Sequence, residues 1–174
     1  MSSPDMRRIE VLRSHLEMPD PSHLRPRPQP AGDFALERTR LHAAEYRRIY
    51  AAVGERWIWR DRLRMAEGEL EAYLASADVA LWVLREHDQV AGYFELLRHP
   101  DARVEIMYFG LVPEFMGRGL GGWLLTRAVE EAFALGAHQV TLHTCSLDAP
   151  QALPNYLARG FVVVREERFF EESD

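Results

Sequence analysis

Three residue patterns in this chain are equipped for chemistry. In the first, Leu111-Val-Pro-Glu-Phe-Met-Gly-Arg-Gly-Leu-Gly121, an apolar segment runs into three closely spaced glycines and then opens an amphipathic helix. The first turn of a helix has backbone N–H groups without intrahelical partners and the positive end of the helix dipole, so an anion sits well against it. Gly117, Gly119 and Gly121 lack a Cβ, so the chain there can take positive φ and approach phosphate oxygens, and Arg118 adds charge. This reads as a pyrophosphate cradle. The second pattern is Glu105, the one charged residue in the apolar run Val104-Glu-Ile-Met-Tyr-Phe109. Such a strand is normally buried on both faces, and a carboxylate stripped of water becomes a better proton acceptor than a free glutamate. Glu95, on the strand before it, is the reserve candidate for that role. In the third, Phe109-Gly110-Leu111, a glycine at the end of a buried strand marks a bulge that frees backbone groups from the ladder.

The flanks of the glycines narrow the choice of anion. A Walker loop needs Gly-Lys-Ser/Thr before its helix, and the chain has none. A dinucleotide fingerprint belongs after the first strand of a parallel unit, whereas these glycines lie two thirds of the way along.

The elements that must position these residues follow from periodicity. Residues 9–18 read as a strand, and Pro19, Pro21, Pro26, Pro28 and Pro30 make 19–30 an extended connector. A strand over 34–39 precedes a helix carrying Tyr46, Ile49, Tyr50 and Val53, which Gly54 ends; a second helix runs through Leu70, Tyr73 and Leu74. Strands at 79–86, 90–98 and 103–112 form an antiparallel meander. Leu120, Leu124 and Ala128 then give a helix its apolar stripe, with Gly136 as its stop. A strand at 138–145, a short helix around 151–159 and a strand or hairpin from Phe161 complete the chain.

Met116-Gly-Arg-Gly-Leu-Gly121 resembles the acyl-CoA signature of the GNAT superfamily of N-acetyltransferases, Gln/Arg-x-x-Gly-x-Gly/Ala, with Met116 in place of the usual Gln or Arg. The resemblance extends to the order of elements over nearly the whole chain. It implies an α/β fold with a central mixed, mostly antiparallel sheet flanked by helices, here a domain over 31–174 with the strand and connector of 1–30 packed on it as an addition. It also implies acetyl-CoA as cosubstrate and direct attack by a primary amine of a small molecule or protein in a ternary complex. Glu105 stands fourteen residues before Gly119, the separation at which one branch of the superfamily has its catalytic base. Asn155-Tyr-Leu-Ala-Arg-Gly-Phe161 is similar to the family's Leu-Tyr-x-x-x-Gly-Phe element, which gives Tyr156 the task of protonating the departing CoA thiolate; a phenol is a neutral O–H donor at pH 7.

By the same resemblance the backbone at Phe109, Gly110 and Leu111 pairs with pantetheine and polarises the thioester carbonyl, and residues 116–121, Leu120 included, bind the cofactor. Ala152 fits the family pattern, while Ala149 stands where an asparagine is common, with Asp148 as a local substitute. Tyr50, Trp57 and Trp59 fall in the segment that walls the acceptor pocket, where aromatics can hold an apolar or cationic amine. His143 and Cys145 read as structural, because no further ligand stands at metal spacing, and no metal is expected.

Composition bounds the rest. A chain of 174 residues with one cysteine supports one domain and no internal disulfide. Its net charge of −6 disfavours nucleic acid as a partner. With no long apolar run and a polar N-terminus, a cytoplasmic protein is expected, away from membranes and able to pair as a homodimer. A noncatalytic acyl-CoA-binding module would keep 109–121 without needing Glu105 and Tyr156 together. A nucleotide-binding protein is the weaker third alternative.

Overall fold

The computed structural model describes residues 7–172. Strand β1 (Arg8–Met18) leads through the connector to β2 (Phe34–Thr39); helices α1 (Ala43–Gly54), α2 (Asp61–Arg64) and α3 (Glu67–Ala75) follow. The meander is β3 (Val79–Glu86), β4 (Gln89–Arg98) and β5 (Arg103–Leu111); then come α4 (Leu120–Ala134), β6 (Gln139–Cys145), α5 (Ala152–Arg159) and β7 (Val162–Glu172). The seven strands form one mixed sheet in the order β2-β3-β4-β5-β6-β1-β7.

Strict alternation along the meander builds two cores. Ala80, Trp82, Leu84, Phe94 and Leu96 pack beneath Leu124, Leu125 and Ala128 of α4. Leu81, Val83 and Tyr93, on the opposite face, meet Tyr46, Tyr50 and Val53 of α1 and Leu70 of α3. Side chains of period 2 on the strands and about 3.6 on the helices make both faces apolar, which is why β3 is buried along most of its length.

Two features of the sheet create the site. Strands β5 and β6, joined through α4, run parallel, but they pair only over Arg103–Glu105 with Gln139–Thr141. Beyond those residues β5 stays on β4 while β6 stays on β1, so the sheet splits and, among the described residues, one edge of Ile106–Leu111 has no strand partner. The bulge expected at Gly110 lies instead at Met107: Glu95 pairs with Tyr108 and Leu96 with Ile106, while Gly110 is in regular register with Tyr93. Gly110 is needed for close packing, since a Cβ there would lie 2.5 Å from Val53 Cγ1.

The first strand sits inside the sheet. β1 pairs antiparallel with both β6 and β7, and Val11, Leu16 and Met18 are buried. From there the connector, with one 3-10 turn at Pro21–His23, crosses the end of α5 and the start of α4. Arg25 N–H donates to the Arg159 carbonyl at 2.9 Å, and Arg27 N–H to Thr126 Oγ1 at 2.9 Å. Gly160, at φ +111, makes this crossing possible, because a Cβ there would lie 2.0 Å from the His23 carbonyl oxygen.

Candidate active site

A cavity of about 680 Å³ passes through the split between β5 and β6, a size suited to a small-molecule ligand. On one side it is lined by Met116, Gly117, Gly119, Gly121 and Gly122, with Asn155, Tyr156 and Arg159 of α5. On the other it is lined by Tyr50, Trp57, Trp59, Arg62 and Tyr108, with His143 and Cys145 of β6. Backbone of Ile106–Leu111 forms the wall between.

The glycine side folds as a nest. Gly117 and Gly119 both have φ +77, and Gly119 is the N-cap of α4 with no side chain to cap it, so among the described residues no capping side chain accepts from the first N–H groups of α4. Asn155 Nδ2 donates to the Gly121 carbonyl at 3.1 Å, tying α5 to the same turn. Arg118 and Leu120 do not join it. The Arg118 guanidinium is paired with Glu86, 2.7 Å away, and stacks against Phe34 and Phe115; Leu120 is buried in the core.

Tyr156 is 7% exposed, with its ring edge-on to Phe109 and Phe161. Among the described residues nothing accepts from its hydroxyl, which borders the cavity. Burial, with the Asp148 charge, raises its pKa well above the usual phenol value, so the O–H persists at every working pH.

The opposite side is an aromatic wall. Tyr50, Trp59 and Tyr108 pack ring against ring with centroids 5.0–5.6 Å apart. Trp59 is folded back by Ile58, a non-glycine residue at φ 62, and its ring lies over Gly54, where a Cβ would come within 2.4 Å. Trp59 Nε1 donates to Asp148 Oδ1 at 3.3 Å, and Asp148 Oδ2 accepts from Thr144 Oγ1 at 2.6 Å and from Cys145 N–H at 2.9 Å. Asp148 therefore locks the loop after β6 to the wall.

Neither glutamate singled out from the sequence lines the cavity. Glu105 shares a face with it, yet its carboxylate receives His99 Nε2 at 3.0 Å and lies 3.9 Å from Arg103. Glu95 is fully buried behind the wall, accepting from Tyr46 at 2.5 Å, Tyr73 at 2.6 Å and Arg62 at 2.7 Å. A carboxylate saturated this way holds structure, here the short α2 against the sheet. The apolar run around Glu105 pointed to burial on both faces, whereas most of β5 is only half-buried, and it carried no signal of the neighbours that occupy the group.

His143 and Cys145, read from the sequence as structural, both face the cavity. They share the face of Thr141, the last residue of β6 paired with β5, so they flank the opening where the strands part. Burial and the nearby Arg13 charge lower the His143 pKa, leaving a neutral imidazole at pH 7. Burial and Asp148 raise that of Cys145, which stays a thiol. Alternation along residues 139–145 was the available signal for both, but it identified only a face.

Residues 39–161 match the model of the acetyltransferase (GNAT) family. The chain belongs to this family. It is 27% identical over 113 residues to a mycothiol acetyltransferase of Corynebacterium efficiens, covering 64% of this chain and 37% of that protein. A mycothiol acetyltransferase of Corynebacterium aurimucosum is 33% identical over 88 residues, 49% of this chain and 29% of the other. The chain thus spans about a third of the length of the curated relatives it matches. Among solved structures, a GCN5-related N-acetyltransferase from Kribbella flavida superposes with a TM-score of 0.64 at 17% identity, over 97% of this chain and 60% of that one. An aminoglycoside acetyltransferase from an uncultured soil metagenomic sample gives 0.60 at 14% identity, over 73% and 87%. At these identities the superpositions establish the fold. Among the described residues no helix of this GNAT domain is long and apolar enough to cross a membrane.

Proposed function

We propose that this GNAT protein transfers the acetyl group of acetyl-CoA to a primary amine by direct attack in a ternary complex. The observation that carries the proposal is the continuous cavity, with a phosphate-type nest on one face of the sheet and an aromatic, imidazole-bearing wall on the other. The nest and the unpaired edge of β5 would hold the pyrophosphate and pantetheine, which brings the thioester to the split. Acetyl-CoA supplies an activated acyl group. Tyr50, Trp57 and Trp59 would hold the amine.

In this reading His143, rather than Glu105, accepts the proton of the attacking ammonium, because it is neutral and faces the opening. The amine nitrogen then bonds to the acetyl carbon, the carbon–sulfur bond breaks and Tyr156 protonates the thiolate; the second proton lost by the nitrogen as the amide forms restores the Tyr156 hydroxyl, and His143 releases the first to solvent. Cys145 is the chain's sole cysteine and stays protonated, which favours direct attack over an acetyl-cysteine intermediate.

The test is acetyl-CoA-dependent thiol release over a panel of primary amines: aliphatic amines, amino acids, peptide amines and aminoglycosides, the last being the class named by one solved neighbour. The chain contains no lysine, so modification of its own lysines cannot contribute background. Release that requires both acetyl-CoA and one amine class is expected. CoA binding without release for any amine would point to a noncatalytic acyl-CoA module.

A further inference from the structure

The Pro-rich connector places an arginine at the start of α4. If Gly122, in the first turn of that helix, carried a Cβ, the atom would lie 2.4 Å from Arg159 Nη1 and 3.1 Å from Arg27 Cγ. Two guanidinium-bearing side chains therefore crowd the turn that, among the described residues, no side chain caps. Arg159 is only 9% exposed, and its Nε is buried without a hydrogen-bond partner. Among the described residues no carboxylate pairs with either arginine. This differs from Arg118, whose charge Glu86 takes up.

A desolvated guanidinium without a counter-charge is costly, and a second cation beside it adds to the cost. Burial and the charge of Arg27 accordingly depress the Arg159 pKa. The helix dipole contributes positive potential at the same point. The connector is held in place by backbone bonds from Arg25 to Arg159 and from Arg27 to Thr126, so Arg27 is positioned before any ligand arrives. Both arginines line the cavity. Guanidinium forks match phosphate oxygens in charge and geometry.

We propose that Arg27 and Arg159 form a phosphate clamp, so that the N-terminal connector is a working wall of the cofactor site. The inference rests on the acyl-CoA reading above. The ligand chemistry is a phosphate group, and CoA offers two, the bridging pyrophosphate and the 3′-phosphate monoester. Arg27 comes from a segment outside residues 39–161, so the family match does not include it.

The test measures CoA and dephospho-CoA affinity for wild type and Arg27→Ala by calorimetry, with thermal shift by inorganic pyrophosphate as a separate arm. Arg27 is exposed, so the variant should fold with an unchanged melting temperature. We expect CoA affinity to fall about tenfold or more, the effect of losing a charge-assisted hydrogen bond. An equal loss for dephospho-CoA assigns the clamp to the pyrophosphate, and a loss for CoA alone assigns it to the 3′-phosphate. Wild type that binds CoA while Arg27→Ala stays within twofold of it for both ligands overturns the clamp and leaves the cofactor reading intact. Wild type that ignores CoA but shows a pyrophosphate shift dependent on Arg27 keeps the clamp and overturns the cofactor reading. No response to CoA or pyrophosphate overturns both.

Discussion

The two mouths of the cavity are built on different principles. On the cofactor side the ligand would meet mostly backbone, namely positive-φ glycines, the uncapped first turn of α4 and the unpaired edge of β5, with the Arg27 and Arg159 side chains added beside that turn. On the acceptor side it would meet side chains from α1, the turn after it, β5 and β6. A backbone site is written in consecutive residues, because the shape of one turn makes it. A side-chain site is assembled by the sheet from residues far apart in sequence. The first can be shared across a family whatever the acceptor, while the second can vary without disturbing the first.

That contrast can be broken most severely at His143. If the acceptor side supplies the base, His143→Gln should lower turnover by about 10²–10⁴-fold while acetyl-CoA affinity stays near wild type. Because burial lowers the His143 pKa, the protonated, inactive imidazole builds up only in acid, so the acid limb of the rate profile should fall below the ordinary imidazole value of about 6.5. The variant should lose that limb. Glu105→Gln is the matched control, and its turnover should change little. A full loss in Glu105→Gln with none in His143→Gln would return the base to the strand residue.

A smaller effect is expected where the two sides meet. Tyr156→Phe keeps the ring packing against Phe109 and Phe161 and removes only the O–H donor. Thiolates are good leaving groups, so turnover should fall near the low end of the about 10²–10⁴-fold range for proton-transfer catalysts. Stopped-flow single turnovers at saturating acetyl-CoA and amine measure this directly. Wild-type rates for the acetyl-transfer step would leave Tyr156 as a packing residue.

The legibility of the sequence follows the same division. Strands at 34–39 and 79–86 and the helix ended by Gly54 appear where the periodicity placed them, because alternation and glycine stops act locally. The nest at Gly117 and Gly119 was readable for the same reason. The insertion of β1 between β6 and β7 was not, since strand order depends on pairings more than 120 residues apart. The partners of Glu105 and Glu95 were not readable, because an apolar run reveals burial but not neighbours; His99 comes from the turn before β5, Arg103 from the start of β5 itself and Arg62 from α2. Arg118 looked like a phosphate ligand by proximity in sequence, yet Glu86 on β3 claims it. Arg27 and Arg159, more than 130 residues apart, are joined only by the crossing of the connector over α5.

The central claim is that an acyl-CoA phosphate occupies the first turn of α4, and calorimetric titration of wild type and Gly121→Glu with acetyl-CoA tests it most directly. Gly121 lines the cavity, has ordinary helical φ, and a Cβ there would meet its nearest neighbours at 3.7 and 3.9 Å, so the variant should fold. A glutamate in a first helical turn even favours the helix dipole. It would, however, place a carboxylate in the path of the phosphate. The account predicts saturable binding by wild type and none detectable by a variant with an undiminished melting temperature; equal binding by both would contradict it.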